Sequence, residues 1–143
     1  QKMYEASQAG VPIDLIVRGM CSLQPGVPGF SESIHVRSIV GRYLEHSRIF
    51  CFGQGDRERY FVGSADMMER NLDRRVEAMT PVKDEALAAR LGQVLAVMRR
   101  DDRRAWTLGP DGEWTRVEKT IEGAPTTDTF EVLMAEAVEQ AAT

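Results

Sequence analysis

The chain is poor in the groups that usually announce a chemistry. Its 143 residues hold only two cysteines and two histidines, and no Cys/His set has metal-ligand spacing, so a metal held by this chain is not expected. Cys21 and Cys51 each lie in or beside an apolar strand-like run without a CxxC partner. They read as reduced, buried packing residues of a cytoplasmic protein. No run of about 18 apolar residues exists, which argues against a membrane-spanning helix. The nucleotide loops GxxxxGK[ST] and GxGxxG are both missing. The stretch Gln1 to Gly10 lacks the apolar segment and cleavage site of a secretory leader. Opening on Gln inside a helical pattern, the chain reads as a piece of a longer protein with functional residues upstream.

Excess charge is also scarce. A net charge of −4 conceals a gradient: residues 1–75 hold ten Lys/Arg against nine Asp/Glu, and residues 76–143 hold eight against thirteen. That balance is too even for a nucleic-acid-binding patch. What the first half does have is arginine: Arg18, Arg37, Arg42, Arg48, Arg57, Arg59, Arg70, Arg74 and Arg75, beside the single lysine Lys2. Arginine is the better bidentate phosphate ligand, although a solvated face explains most of such a set. With 43% apolar and 28% charged residues, the chain is an ordinary globular domain able to bury a core.

The periodicities predict a layered α/β domain. A helix ends at Gly10, and Ile13–Val17 follows as a buried strand with Arg18 at its C-terminal end, where open α/β sheets bind ligands. Leu23 to Phe30 is a Pro/Gly loop, either a plain connection or a mobile donor of backbone N–H groups to an anion. Ile34–Val40 alternates as a second strand, with His35 turned to the surface. Gly41–Glu45 is a short helix or turn. His46 opens a third strand ending at Gly53, a charged hairpin loop covers 54–59, and Tyr60–Gly63 is a fourth strand. Arg75–Thr80 is a fifth, stopped by Pro81. Asp84 to Arg100 is a helix whose core stripe is Leu87, Leu91, Val94, Leu95 and Met98. Ala105–Leu108 and Trp114–Val117 form a hairpin in which Trp106 and Trp114 are cross-strand partners. Residues 120–127 are a linker, and Asp128 or Thr129 caps a last helix reaching about Gln140.

Three pieces could carry chemistry. Arg18 lies at a strand end. His46 and Arg48, spaced i and i+2, leave the same face of a strand, pairing a group that moves protons near neutrality with one that binds phosphoryl oxygens. Gly63-Ser64-Ala65-Asp66 sets a hydroxyl and backbone N–H groups after a strand, suited to an oxyanion. The competing readings are a structural histidine and an Asp66 or Asn71 that caps the following segment.

Ile13-Asp14-Leu15-Ile16-Val17-Arg18-Gly19-Met20-Cys21-Ser22-Leu23, Ser38-Ile39-Val40-Gly41-Arg42-Tyr43-Leu44-Glu45-His46-Ser47-Arg48 and Gly63-Ser64-Ala65-Asp66-Met67-Met68-Glu69-Arg70-Asn71-Leu72-Asp73-Arg74-Arg75 together closely resemble the last domain of bacterial polyphosphate kinase, the long-chain-synthesising type. The resemblance covers roughly residues 1–100. It divides the chain into a phospholipase D-like part, 1–102, and a lineage-variable hairpin and helix, 103–143, extending the same domain. It implies an α/β phospholipase D-like fold, a mixed central sheet flanked by helices, in which two related domains complete one active site.

The resemblance also implies reversible transfer of the ATP terminal phosphate to inorganic polyphosphate through a phosphohistidine, whose nucleophile lies in the preceding domain. His46 matches the second histidine, a proton donor and acceptor that contacts the nucleotide phosphates. Arg18 matches the phosphate-binding arginine. Arg48 stands where the superfamily's HxK motif has lysine, a departure that leaves its role open. The implied Mg2+ ligands and adenine contacts lie upstream. ATP or ADP and polyphosphate are the implied partners, a homo-oligomer is implied for the full-length protein, and its expected location is the cytoplasm, with association to a membrane left open. Two further readings stand beside this one. The isolated domain could bind nucleotide or polyanion without turnover, or a dimer could act as a phospholipase D-like phosphodiesterase with two copies of His46.

Overall fold

The computed structural model describes residues 1–117 and 126–142. Most of the linker expected at 120–127 lies outside them. The elements run α1 (Lys2–Gln8), β1 (Ile13–Ile16), β2 (Ile34–Ile39), β3 (Ile49–Phe52), β4 (Arg59–Gly63), α2 (Glu69–Arg74), β5 (Met79–Val82), α3 (Glu85–Arg100), β6 (Ala105–Leu108), β7 (Trp114–Arg116) and α4 (Thr129–Ala141). The α/β character expected from the sequence holds, with the strands divided between two sheets. One sheet has the order β1-β2-β6-β7 and the other β3-β4-β5. The chain separates into two compact units, residues 1–44 with 97–143, and residues 45–96.

In the first unit β2 is the central strand, parallel to β1 and antiparallel to β6. Its alternation is the sequence pattern made physical: Ile34, Val36 and Ser38 are buried while His35 is exposed. β1 lies at the sheet edge and is only half-buried, not the buried strand its apolar run suggests. The Pro/Gly loop is tied down rather than mobile. The Ser31 hydroxyl donates to the Gln24 carbonyl at 2.6 Å and accepts from Val27 N at 3.1 Å, and Gly26 N donates to the Ser31 carbonyl at 2.9 Å. Tyr4 of α1 stacks on Phe30 with ring centroids 4.3 Å apart. With those amides spent internally, the loop is the plain connection of the two readings.

The segment beyond residue 100 closes onto this sheet. Asp101 is 1% exposed and organises it: Oδ1 accepts from the backbone N–H groups of Arg103, Arg104 and Ala105 at 3.0, 2.6 and 3.0 Å. Oδ2 accepts from Thr129 N at 2.7 Å. One carboxylate therefore joins the end of α3, the start of β6 and the start of α4, and four donors offset the cost of burying its charge. Asp128 is the N-cap of α4, accepting from Phe130 N at 3.0 Å and Glu131 N at 3.3 Å, while Arg104 Nε donates to it at 2.7 Å. Burial pushes its pKa up, but the Arg104 and backbone N–H bonds outweigh that and the net shift is downward. Phe130 packs its ring over Gly41 and meets Tyr43 edge-on at 5.9 Å. In the hairpin Trp114 stands opposite Leu108 and Trp106 opposite Arg116, so the two tryptophans are not directly paired.

The second unit contains an antiparallel three-stranded sheet. β5 begins four residues later than its apolar pattern suggests and includes Pro81, opposite Phe61. An edge strand tolerates proline because one of its sides carries no ladder. Asp84 caps α3, its Oδ1 accepting from Leu87 N at 2.9 Å. The α3 stripe is graded. Leu87 is 60% exposed, Leu91, Val94 and Leu95 are half-buried, and Met98 is 4% exposed. Cys21 and Cys51 form no disulfide with each other and are half-buried rather than buried. Among the described residues no helix is long and apolar enough to cross a membrane.

Candidate functional site

Arg18 lies two residues past β1, in the first unit, and its side chain is exposed. The strand before it ends at Ile16, which leaves Arg18 beyond the C-terminal end of a parallel pair. His46 belongs to the second unit. It does not open β3, which starts at Ile49; it lies in irregular chain between Gly41 and that strand. His46 is exposed and Arg48 half-buried.

The expected pairing of His46 with Arg48 is present, reached through irregular backbone instead of strand alternation. Arg48 Nη1 lies 3.3 Å from His46 Nδ1 and also donates to the His46 carbonyl. The other edge of the same guanidinium is held by Asp66. Nε and Nη2 converge on Asp66 Oδ1 at 3.1 and 3.0 Å. Asp66 therefore does not cap α2, whose N-cap is Met68 without a side-chain bond. The short segment that carries His46 is positioned by β3 and β4, since Gly63 N donates to the Arg48 carbonyl at 3.0 Å.

Ser64 does not offer its groups to an oxyanion. Its N–H donates to the Ala78 carbonyl at 3.0 Å. Its hydroxyl donates to Glu77 Oε2 and accepts from Ala78 N at 3.1 Å. Asn71 Nδ2 donates to Glu77 Oε1 at 3.0 Å, and Arg75 Nε lies 3.5 Å from the same oxygen. The Ser64 and Asn71 donors, together with the Arg75 charge, hold the Glu77 carboxyl below its usual range against partial burial and the nearby Asp66 charge. Asn71 is thus a buried ligand of Glu77 and not a cap. Sequence reasoning left Glu77 unnoticed and gave Asp66 only a capping role, because both act on partners 13 and 18 residues away with no periodic relation between them. The one available signal was acidic residues inside an otherwise arginine-rich pair of motifs.

Two other arginines of the first half have contacts within the fold. Arg37 Nη1 donates to the carbonyls of Met98 at 3.1 Å, Asp101 at 3.4 Å and Arg99, completing the C-terminus of α3. Arg42 lies over the Tyr43 ring at 5.4 Å. Among the described residues no three His, Cys, Asp or Glu side chains converge as metal ligands. The chemistry on offer is that of an imidazole braced by a guanidinium, and of an exposed guanidinium at a strand end. Both suit anionic oxygen.

Residues 1–127 match the family described as polyphosphate kinase C-terminal domain 2. The match runs through the β6–β7 hairpin. The chain is 54% identical to a polyphosphate kinase of Streptomyces coelicolor over 131 residues, 92% of this chain and 18% of that protein. It is 56% identical to one from Thermosynechococcus vestitus over 133 residues, 93% of this chain and 18% of the relative. A crystal structure of polyphosphate kinase from Porphyromonas gingivalis superposes with a TM-score of 0.89 at 36% identity, covering 99% of this chain and 22% of that one. The chain thus spans about a fifth of the length of these relatives.

Proposed function

Because the chain belongs to the polyphosphate kinase family, as that family's C-terminal domain 2, we propose that it supplies one half of the active site of an ATP–polyphosphate phosphotransferase. Its α/β fold is phospholipase D-like. In this reading the parent protein reversibly transfers the terminal phosphate of ATP to inorganic polyphosphate. A histidine elsewhere in the parent is the nucleophile and forms the phosphohistidine, dividing the transfer into two half-reactions.

Phosphoryl transfer spreads negative charge over the moving group and demands that it be neutralised and held in line. Arg18 clamps the nucleotide phosphates with its exposed guanidinium. His46 hydrogen-bonds the transferring or leaving oxygen and gives or takes its proton. The family match together with the exposed placement of both side chains carries this reading. Mg2+ bound with the nucleotide would neutralise phosphate charge, and its protein ligands are assigned to the remainder of the parent, as the family resemblance implies. Residues 103–143 act as an extension of the same domain, as the pairing of β6 with β2 favours. The parent is a cytoplasmic homo-oligomer that binds ATP or ADP and polyphosphate.

The test is steady-state polyphosphate synthesis by the full-length parent. His46→Ala and Arg18→Ala are each expected to slow it by about 100-fold or more, the scale of a lost acid–base or charge-stabilising group. Near-normal turnover in either variant removes that residue from the site.

A further inference from the structure

We infer that Asp66 and Arg48 are positioning residues that hold His46 as a single neutral tautomer, with its proton on Nε2. This inference rests on the hydrogen bond from His46 to the transferring or leaving oxygen given above and narrows it to donation: a neutral ring whose Nδ1 accepts from a guanidinium offers its Nε2–H as a hydrogen bond and keeps the proton. It names how one of the two ring nitrogens is assigned to an anionic phosphoryl oxygen.

A guanidinium has five N–H donors in a rigid plane and no acceptor. Nε and Nη2 both point at Asp66 Oδ1, at 3.1 and 3.0 Å, which fixes the plane and the rotation of the group about its stem. Nη1, on the remaining edge, then reaches His46 Nδ1 at 3.3 Å and the His46 carbonyl. Because Nη1 can only donate, Nδ1 must accept. A neutral imidazole carries one proton, so that proton resides on Nε2. The opposite tautomer would set an N–H against an N–H.

The same geometry explains why an arginine stands at the place where the resemblance calls for lysine. An ammonium is a single point donor and cannot keep two N–H groups on a carboxylate while offering a third, coplanar one to a ring nitrogen. Arg48 is half-buried and Asp66 about one-third exposed, so the pair adds little to stability. Its value lies in orientation. A fixed Nε2–H donor meets a phosphoryl oxygen without first having to select a tautomer, the preorganisation that electrostatic catalysis relies on.

The tautomer can be read directly. In the 143-residue chain, long-range 15N–1H correlation spectra at alkaline pH distinguish a bare ring nitrogen from a protonated one. His35, exposed on β2, serves as the internal reference, and His46→Ala assigns the second set of signals. The expected result is a bare Nδ1 and a protonated Nε2 for His46, replaced in Asp66→Asn and in Arg48→Lys by a mixture of tautomers and partly restored in Asp66→Glu. In the full-length parent, Asp66→Asn is expected to lower kcat about tenfold with the nucleotide KM nearly unchanged, a smaller loss than removal of the imidazole itself. A wild-type His46 protonated at Nδ1 overturns the inference, as does an Asp66→Asn variant with unchanged tautomer and unchanged kcat. If Asp66→Asn does not fold, Arg48→Lys carries the same two readouts. Normal turnover in His46→Ala would remove the functional reading of that residue, whereas the spectra decide the positioning inference separately.

Discussion

Two pairs of carboxylates, one in each compact unit of this chain, find their donors in different places. In the described part of residues 1–44 and 97–143, buried Ile34, Val36, Val97, Met98, Ala105 and Phe130 form a core. Asp101 and Asp128 are themselves buried there, saturated by backbone N–H donors and by Arg104. In residues 45–96 only Ala65 and Asn71 are buried, and the acidic groups Asp66 and Glu77 spend their oxygens on side chains. Backbone donors cannot be moved without unfolding the element that carries them, so the first arrangement is architecture. Side-chain donors aim other side chains, so the second is alignment. The unit that bears His46 has few fully buried side chains of its own.

That contrast is open to attack through stability measurements on the chain by chemical denaturation. The largest effect is expected from Asp101→Ala, which strands several backbone donors in a dry site and should cost about 3 kcal/mol or more. A loss below about 1 kcal/mol would show that Asp101 is not the organising group. Next comes Gly41→Ala, whose Cβ would overlap the Phe130 ring; overpacking of this kind costs about 1–3 kcal/mol. An unchanged midpoint would mean that α4 does not pack on Gly41.

Smaller still is Asp128→Ala, at about 1 kcal/mol for a lost helix cap. This one has a pH signature. The Asp128 carboxyl is depressed in the folded state from an ordinary value of 3.8, so its contribution is fully present above that pH. It is lost as pH falls through the depressed folded value. The stability gap between wild type and Asp128→Asn should therefore be flat near neutrality and shrink below about pH 4. A gap that widens on acidification would reverse the sign of the assignment. Smallest is His46→Ala, expected to leave stability within about 0.5 kcal/mol because the residue is exposed. A larger loss would place His46 among the structural groups of its unit, on the wrong side of the comparison.

Strand and helix positions came through best where local chemistry was unambiguous. Ile34 to Ile39 alternates and does alternate. The helix expected from Asp84 begins at Glu85 with Asp84 as its cap, and of the two expected caps of α4 it is Asp128 that serves. Arg75–Thr80 misled, since an apolar pattern cannot tell β5 from the irregular chain that delivers Glu77 to Ser64. His46 misled in a narrower way: the residues chosen do meet, but outside the strand that was to bring them together.

What the sequence determined by itself is the α/β layering, the family and the identity of Arg18 and His46 as the residues to watch. Hydrophobic periodicity, capping residues and long contiguous motifs are local properties, and a chain displays them before it folds. Only the tertiary structure decided what surrounds those residues. The Arg48–Asp66 clamp, the Ser64–Glu77–Asn71 cluster and the four-donor cradle of Asp101 join positions 13 to 28 residues apart, or groups in different elements. Which acceptor a guanidinium or a backbone N–H finds depends on the distances and angles that packing creates. A carboxylate in the sequence is only a charge until the fold chooses its donors.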